Sequence, residues 1–502
     1  MPQEIELKFA LPGLTGEEAL ARLRRHPLLR RRAMQQVHLI NRYLDTPDGW
    51  LRQQRCALRL RATQAVGSAA AQPPRWEQTL KTAGQGTGAW SARGEWTVAL
   101  KGPRLQPQAL LATPLGQQPQ AAQRVLELQA RYETRCLRTT WTLHLRGRAV
   151  IEVALDAGEV RAGHRRAPLL ELELELLRGD AAALDEVAAA LATTLPLLPA
   201  RTSKAEQAQR LADGTWGAPV RAQGPTLPVG ADPLTVARAA LADALGQLCD
   251  NLAAAARSDD PELIHQARVG WRRWRSVLRL VRPWLTEPVP DTTALRALLQ
   301  ALGVLRDLDV AHGQTVPSWG EAFVEDAQQH PRRARALQRA TRRLRHAAQQ
   351  ARAELRTQLS TPEVVAPLQA LAAWLLRLTP ATVPVEPGWA FERLRRWHAR
   401  LKRQLRHGNA SPAEAMAALH AARLLAKRLR YASEAAGHAM PAKAAERAQQ
   451  WQRRARGWQE RLGRWRDTVR AAELLQQLHA DAELVGFLRG VAAAQHPLQP
   501  QG

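Results

Sequence analysis

The first half of the chain alternates charged and apolar residues with a period of two, which predicts β-strands. The alternation is clearest in Glu4-Ile5-Glu6-Leu7-Lys8-Phe9 and in Leu170-Glu171-Leu172-Glu173-Leu174-Glu175-Leu176. Further strands are predicted at Cys56–Arg61, Trp76–Thr82 and Ile151–Asp156. Each of these strands would carry its charged side chains on one face and most of its apolar side chains on the other.

Short helical patterns accompany the strands, at Leu14–Arg24, Ala181–Thr193 and Ser203–Leu211. A closed antiparallel barrel would explain why charges of both signs repeat on one face of so many strands, because its interior would place carboxylates opposite Arg and Lys. For any single strand, an ordinary sheet with a solvated polar face remains an open alternative.

The hydrophobic period becomes helical after a Gly- and Pro-rich stretch from Asp213 to Asp232, which we interpret as a linker. The remaining sequence is rich in Ala, Leu, Arg and Gln and predicts several long helices. We therefore expect an α+β protein. Its expected parts are a β domain at residues 1–212, a linker at 213–231, an all-helical domain at 232–490 and a C-terminal tail at 491–502.

The helical half contains an internal repeat. Its first element is a stripe of polar residues at positions i, i+3, i+7 and i+10 of a helix. The two copies are His265, Arg268, Arg272 and Arg275, and His420, Arg423, Lys427 and Arg430. The second element, Leu-Gly-x-x-Arg-Asp, occupies residues 302–307 and 462–467. Like charges at helical spacing cost roughly 0.2–0.5 kcal/mol for each pair, so two such stripes indicate a bound anion. For any single arginine, a solvated basic face remains the alternative.

The composition limits the chemical class of the expected binding partner. A net charge of +26 calls for an anion such as nucleic acid, an anionic membrane or a phosphate polymer. An aromatic content of 5% argues against base stacking, and no nucleic-acid reading motif supports specific binding of DNA or RNA. The sequence shows no signal peptide and no long uncharged apolar segment, and its three cysteines are scattered. We expect a soluble cytoplasmic protein without a membrane partner.

The charged motifs of the first half, in their order, resemble the CYTH family, also called triphosphate tunnel metalloenzymes. The motifs are Glu4-x-Glu6-x-Lys8, Leu58-Arg59-Leu60-Arg61, Lys81, Arg93-x-Glu95, Arg135, Glu173-x-Glu175 and Ser203-Lys204. The resemblance covers roughly residues 1–212. It implies an eight-stranded antiparallel tunnel with flanking helices, which binds a triphosphate and hydrolyses it with Mg²⁺ or Mn²⁺.

The resemblance also implies individual roles. Phosphate oxygens would be bound by the catalytic cations Lys8, Arg59, Arg61, Lys81, Arg93, Arg135 and Lys204. Metal would be bound by Glu4, Glu6, Glu173 and Glu175, with Glu152, Asp156 and Glu171 as further acidic candidates. Many family members carry an acid two positions after the one that matches Glu152, whereas this chain has Ala154. We expect Asp156 to take that role.

These residue types suit the chemistry. Hydrolysis of a phosphoanhydride mainly requires charge neutralisation, in-line alignment and a positioned water. Arginine supplies planar two-point contacts to phosphate, and carboxylates bind hard divalent cations. The general base cannot be named from the sequence.

The repeated stripe and the Leu-Gly-x-x-Arg-Asp element resemble the CHAD domain, over roughly residues 232–489. This resemblance implies two pseudo-symmetric four-helix bundles with a basic groove that binds inorganic polyphosphate. The binding side chains would be His265, Arg268, Arg272, Arg273, Arg275, His420, Arg423, Lys427, Arg428 and Arg430. Asp307 and Asp467 would orient those cations.

The expected function is therefore metal-dependent hydrolysis of inorganic tripolyphosphate in the tunnel, with inorganic polyphosphate bound by the helical domain. Two alternatives stay open. One is a polyphosphate-binding adaptor with an inactive tunnel. The other is a tunnel that acts on an organic triphosphate, by hydrolysis of thiamine triphosphate or a nucleotide or by adenylate cyclisation. Metal preference and oligomeric state are also left open.

Overall fold

The computed structural model describes residues 3–67, 73–82, 90–222, 224–325, 328–379, 384–406 and 412–495. Within these ranges it describes the backbone alone at residues 3–4, 90–93, 406, 412–417 and 420. Three predicted site residues, Glu4, Arg93 and His420, therefore lie outside the described side chains.

The chain forms two compact units. The first comprises Met1–Ala218 together with Leu359–Ala373, and the second comprises Pro219–Gln358 and Trp374–Gly502. The first is built on a large antiparallel sheet and the second is helical, so the predicted α+β class is confirmed.

The strands of the first unit form one sheet. They are β1 (Gln3–Ala10), β2 (Met34–Asp45), β3 (Ala57–Ala65), β4 (Arg75–Lys81), β5 (Trp90–Leu100), β6 (Gln129–Leu145), β7 (Ala149–Ala162), β8 (Arg165–Gly179) and β9 (Leu198–Pro199). Their order is β5-β4-β3-β2-β6-β7-β8-β1-β9. Strand β1 pairs with β8 and also with β5, so the first and last of the long strands meet. The sheet has nine strands rather than the expected eight because the two-residue β9 pairs with the end of β1.

The register aligns the charged positions. Glu6 on β1 lies opposite Glu175 on β8, and Lys8 lies opposite Glu173. Since directly opposed residues share a face of the sheet, the alternation in each strand collects its charges on the same side. Asp156 on β7 joins them through its pairing with Glu171.

The helices fall into two groups along the chain. The short helices before the linker are α1 (Gly16–Arg25), α2 (Trp50–Gln53), α3 (Pro107–Leu111), α4 (Ala121–Leu126), α5 (Ala182–Leu191) and α6 (Lys204–Ala212). The later helices are α7 (Pro233–Ala255), α8 (Pro261–Val281), α9 (Leu295–Val310), α10 (Val316–Val324), α11 (Pro331–Leu359), α12 (Pro362–Arg377), α13 (Trp389–Arg406), α14 (Pro412–Ala436), α15 (Ala442–Gln477) and α16 (Ala482–Ala494).

The apolar face of the sheet supplies the main core of the first unit. Leu7, Phe9 and Leu174 from β1 and β8 pack with Leu23 of α1 and Leu184 of α5 in one buried cluster. A separate cluster places α6 against β6, β7 and β8. This contact brings the beginning of α6 to the charged side of the sheet.

The second unit places the repeated elements on four helices. The stripes lie on α8 and α14, which pack against each other, and the Leu-Gly-x-x-Arg-Asp elements lie on α9 and α15, which also pack together. Within the same unit, Trp274 of α8 and Trp374 form a buried pair with ring centroids 6.2 Å apart.

Hydropathy gives little sign of a membrane span in the described residues. No single helix meets the length and hydropathy expected of a span, and only the bent pair α11 and α12 meets them jointly.

Candidate active site and basic cluster

A cavity of about 270 Å³ lies on the charged side of the sheet. Its walls carry charges of both signs. The cations are Lys8, Arg59, Arg61, Lys81, Arg138 and Lys204, and the carboxylates are Glu6, Glu77, Glu95, Glu173 and Glu175. The structure thus brings together most of the residues for which the CYTH resemblance implies a role in binding phosphate or metal.

An acidic trio lies deep beside this cavity. Asp156, Glu171 and Glu173 are buried, and each offers an oxygen within 4.8 Å of the others. This spacing and donor type could hold a divalent cation. An ammonium already lies among the three carboxylates, however, and belongs to Lys204.

Lys204 reaches the acidic trio from the first position of α6. Ser203 caps this helix, and its side chain accepts a hydrogen bond from the Glu206 backbone in a capping box. The Lys204 ammonium lies 2.8 Å from Asp156 Oδ2 and 2.8 Å from Glu173 Oε1, and it also contacts Glu171 Oε1. Lys204 therefore contacts carboxylates, whereas the sequence resemblance implied a phosphate ligand.

Two further cations neutralise the same carboxylates. Arg138 on β6 donates to Asp156 at 2.8 and 2.7 Å and to Glu173 at 2.5 Å. The Lys8 ammonium lies 3.3 Å from Glu173 and 3.7 Å from Glu6. The buried acids are thus compensated by the protein's own charges.

The pKa values follow from this pairing. Burial alone would raise the pKa of Glu173, but Lys204, Lys8 and Arg138 hold it well below its ordinary value. Burial does raise the pKa of Glu171, against the opposing charges of Lys204 and Lys8. For Lys204 the neighbouring carboxylates outweigh burial and raise its pKa, so its ammonium stays protonated at neutral pH.

Strands β3 and β4 supply the basic wall. Arg61 donates from Nε to Asn41 Oδ1 at 2.8 Å, and burial together with the charges of Arg59 and Arg138 lowers its pKa to about 10. The Nε of Arg59 is buried and has no hydrogen-bond partner among the described residues. Lys81 pairs with Glu95 at 3.2 Å. This wall holds cations close together and leaves a donor for an added anion.

Arg135, a predicted phosphate ligand, does not line the cavity, because it lies on the other face of β6. Its side chain is exposed and pairs with Glu133. Arg138, three residues later and of opposite parity, lines the cavity instead. Sequence reasoning passed over Arg138 although its parity was readable. Glu152 lies opposite Glu175 and is half-buried, and burial raises its pKa.

The carboxylates at the cavity wall fit a hard divalent cation by their chemistry. Glu6 and Glu175 are register neighbours, and with Glu173 they line the cavity. Carboxylate oxygens are the ligands that Mg²⁺ and Mn²⁺ prefer. Glu6 and Glu175 would hold the metal, whereas Glu173 belongs to the acidic trio, which already contains an ammonium.

In the second unit, residues from the two stripes and from the two Leu-Gly-x-x-Arg-Asp elements form what we call the basic cluster. It consists of His265, Arg268 and Arg272 on α8, Arg306 on α9, Arg423 and Lys427 on α14, and Arg466 on α15. Asp307 and Asp467 lie beside it and offset part of its charge.

Burial and the crowding of like charges depress the pKa values of His265, Arg268 and Lys427 in the basic cluster. Burial and the charges of Arg272, Arg423 and Arg268 lower the pKa of Lys427 to about 6. Burial and neighbouring arginines likewise lower the pKa of Arg268 to about 10 and that of His265 to about 4. An anion bound here would relieve this repulsion.

Two predicted polyphosphate ligands do not join the basic cluster. Arg273 is buried on the other side of α8 and donates to Asp243 at 2.9 Å. Arg430 pairs with Glu434 at 3.0 Å, one turn along α14. Acidic partners therefore already neutralise both side chains.

Two more predicted ligands, Arg275 on α8 and Arg428 on α14, also lie outside the basic cluster. Arg275 is exposed, and its charge helps to lower the pKa of the half-buried Arg428, after burial, Arg279 and Arg400. The Arg428 guanidinium lies over the Trp397 ring at 5.6 Å.

Arg306 and Arg466 were missed in the sequence, although both stand in the repeated element next to its aspartate. Gly303 of the same element leaves space for the Arg268 side chain. A Cβ there would lie 3.0 Å from the Arg268 guanidinium.

Comparison with known proteins identifies two domain families. The CYTH domain model matches residues 2–208, and the CHAD domain model matches residues 239–476. The chain is 31% identical over 182 residues to an inorganic triphosphatase of Haemophilus influenzae, across 36% of this chain and 47% of that protein. The chain thus spans about half the length of this relative.

Solved structures resemble each half. The CHAD domain from the plant Ricinus communis is 30% identical and covers 56% of this chain and 93% of its own, with a TM-score of 0.43. A putative adenylyl cyclase from Hippeastrum with a dominant triphosphatase activity is 18% identical, covering 35% and 80%, with a TM-score of 0.26. A Mimivirus capping enzyme triphosphatase is 12% identical, covering 38% and 88%, with a TM-score of 0.23.

Proposed function

Since the chain carries a CYTH domain followed by a CHAD domain, we propose that it hydrolyses inorganic triphosphate to pyrophosphate and phosphate with Mg²⁺ or Mn²⁺. The reaction takes place in the cavity of the first unit. The basic cluster of the second unit binds inorganic polyphosphate. In this proposal the eight long strands enclose a tunnel, closed by the β1–β5 pairing, and the helical domain consists of two related four-helix bundles.

The observation that carries the proposal is the opposition of charges across the cavity. A basic wall from β3 and β4 faces carboxylates from β1 and β8. The unpartnered Nε of Arg59 supports a role in anion binding, because a buried donor without an acceptor costs about 1–3 kcal/mol unless a ligand supplies one. A triphosphate offers such acceptors, and its negative charges would compete with Glu77 and Glu95 for Arg59, Arg61 and Lys81.

Each wall has its own task. Arg59, Arg61 and Lys81 bind and align the phosphate oxygens, and Arg contributes two-point contacts. Glu6 and Glu175 hold the divalent cation, which supplies charge neutralisation and activation of water when bound. Lys8 on β1 forms ion pairs with Glu6 and Glu173 and offsets part of their charge.

The cavity favours an inorganic chain over a nucleotide. Its volume is about 270 Å³, and Tyr43 is the only aromatic among the described residues that line it. A base or thiazole ring would need an apolar stacking surface. The 31% identical inorganic triphosphatase of Haemophilus influenzae supports the same substrate.

The test offers tripolyphosphate, ATP, thiamine triphosphate and long-chain polyphosphate to the full chain with Mg²⁺ or Mn²⁺. Phosphate release should be fastest with tripolyphosphate and absent in EDTA. The Glu6→Gln and Glu175→Gln double variant should lose at least a hundredfold in rate. Glu186→Gln is the matched control, because Glu186 is an exposed acid on α5 that pairs with Arg148. Full activity of the double variant would refute the proposal.

A second candidate is a polyphosphate-binding adaptor with an idle cavity. The compensated acidic trio favours it, since three carboxylates already have cationic partners. This candidate predicts polyphosphate binding without phosphate release from any of the four substrates under either metal.

Polyphosphate binding is tested separately on the full chain. The Arg268→Ala and Arg423→Ala double variant should bind long-chain polyphosphate at least tenfold more weakly than the wild type. Arg345→Ala, which removes an exposed arginine from α11, should bind as the wild type does. Equal losses in both variants would show that net charge alone, and not the basic cluster, determines binding.

A further inference from the structure

We infer that Lys204 is the resident cation of the acidic trio and keeps a divalent metal out of it. The assignment rests on the proposed metal dependence of the cavity and restricts where that metal can bind. Among the side chains that the structure describes, Glu6 and Glu175 would hold the metal, and Asp156, Glu171 and Glu173 would hold the ammonium. Lys204 is then a positioning residue that fixes the trio.

The N–H donors of Lys204 are directed at the carboxylates of the trio. A lysine ammonium has three N–H donors and no acceptor. The Lys204 ammonium has three carboxylate oxygens as neighbours, one each from Asp156, Glu171 and Glu173. Two of these donors have hydrogen-bond acceptors, in Glu171 and Glu173, and the ammonium also forms an ion pair with Asp156 Oδ2 at 2.8 Å. The trio therefore engages most of the hydrogen-bonding capacity of Lys204.

The negative charges of the trio are already neutralised by cations of the protein. The trio carries three negative charges when ionised, and Lys204, Arg138 and Lys8 face it with three positive charges. A divalent ion added to this arrangement would create an excess of buried positive charge, which is unfavourable in a water-poor interior. The metal would have to displace the ammonium.

The position of Lys204 on α6 holds its ammonium in the trio. Lys204 stands at the first position of α6, and one turn later Gln207 of the same helix donates from Nε2 to Glu171 Oε2 at 3.0 Å. The capping box at Ser203 fixes the first turn between these two contacts. Withdrawal of the ammonium would therefore disturb a helix end that is attached at two points.

The hydration of a bound Mg²⁺ ion also disfavours the trio as a metal site. Mg²⁺ demands near-octahedral coordination and usually keeps several of its waters. Asp156 has 0% of its surface exposed and Glu171 has 3%. The buried trio leaves little space for such waters, whereas Glu6 and Glu175 line the open cavity.

The experiment counts Mn²⁺ bound by the full chain by electron paramagnetic resonance, without turnover. Glu171→Gln should bind as many Mn²⁺ ions as the wild type, and Lys204→Met should bind one more, because the trio has lost its cation. Lys81→Met is the matched control, since Lys81 pairs with Glu95 at the basic wall, and its count should be unchanged. Loss of one ion in Glu171→Gln would overturn the inference, as would an unchanged count in folded Lys204→Met.

A second measurement uses the wild-type protein and therefore does not depend on the folding of a variant. In ¹H–¹⁵N spectra of lysine ammonium groups, the Lys204 signal should be visible through slow exchange and unchanged when Mg²⁺ saturates the protein. Disappearance or a large shift of that signal on Mg²⁺ addition would show that metal replaces the ammonium. Absence of any Mg²⁺ or Mn²⁺ binding would instead refute the proposed function, and the ammonium signal would still decide the place of Lys204.

Discussion

Arg138 on β6 and Asp156 on β7 lie opposite each other and share two hydrogen bonds, from Nε to Oδ1 at 2.8 Å and from Nη2 to Oδ2 at 2.7 Å. Asp156 has no exposed surface, so its charge depends on partners within the protein. This pair joins adjacent strands at the deepest part of the charged face. Stability of the first unit and geometry of the site therefore depend on the same contact.

Arg138→Ala should destabilise the first unit by about 3–5 kcal/mol, because it leaves a buried carboxylate with fewer partners. Arg135→Ala is the matched control on the same strand, and its exposed side chain should change stability by no more than about 0.5 kcal/mol. Urea unfolding followed by circular dichroism measures both. Similar small losses in the two variants would contradict the inward placement of Arg138.

Stability should fall in acid through Asp156. Burial alone would raise its pKa, but Arg138 and Lys204 outweigh burial and hold it below the ordinary value. A carboxyl with a depressed folded-state pKa stabilises the fold above its unfolded pKa, near 3.9, and loses that contribution as pH falls below it. The urea midpoint should therefore drop between about pH 5 and pH 2. Asp156→Asn should show a smaller drop over that range, and an unchanged drop would exclude Asp156 as a source.

Gly303→Ala should weaken polyphosphate binding roughly tenfold, equivalent to about 1.4 kcal/mol. The new Cβ would lie 3.0 Å from the Arg268 guanidinium and displace it, because the end of that side chain is the part free to move. Gly463→Ala is the matched control from the second copy of the repeat, where nothing lies within 4 Å of the added Cβ. The control should bind normally and gain up to about 1 kcal/mol of helix stability. Weaker binding in the control alone would contradict the prediction.

Polyphosphate binding should take up a proton at Lys427. Its pKa of about 6 leaves the amine largely neutral at pH 7.5, and an adjacent polyanion should raise that pKa. Affinity should accordingly decrease as pH rises from about 6. Titration calorimetry at pH 7.5 in buffers of different ionisation enthalpy measures the uptake. Lys427→Met should abolish most of it, and identical uptake in the variant would assign the proton to another group.

The alternation along the strands predicted which charges share a face. Glu173, Glu175, Arg59 and Arg61 all line the cavity as expected from their parity. Parity could not choose between two cations of the same strand without knowing which face is enclosed, and Arg135 was chosen in place of Arg138. The acidic partners of Lys204 could not be read from the sequence either, because they arise from the packing of α6 on three distant strands.

Periodicity was equally informative and equally limited in the helical half. It placed Arg268 and Arg272 on one stripe, and both are in the basic cluster. It could not show that the neighbouring Arg273 is turned to the interior, since that depends on Asp243 of another helix. The contribution of Arg306 comes from the packing of α9 on α8, which no local pattern encodes.

The discontinuous first unit has a consequence for biosynthesis. Leu359–Ala373 belongs to it, and Ala366 packs against the same apolar cluster as Leu7 and Leu184. A nascent chain cannot complete this unit until the ribosome has passed residue 373, long after the last long strand has emerged. A protein truncated at residue 218 would expose an apolar patch to solvent, and such fragments are prone to aggregate.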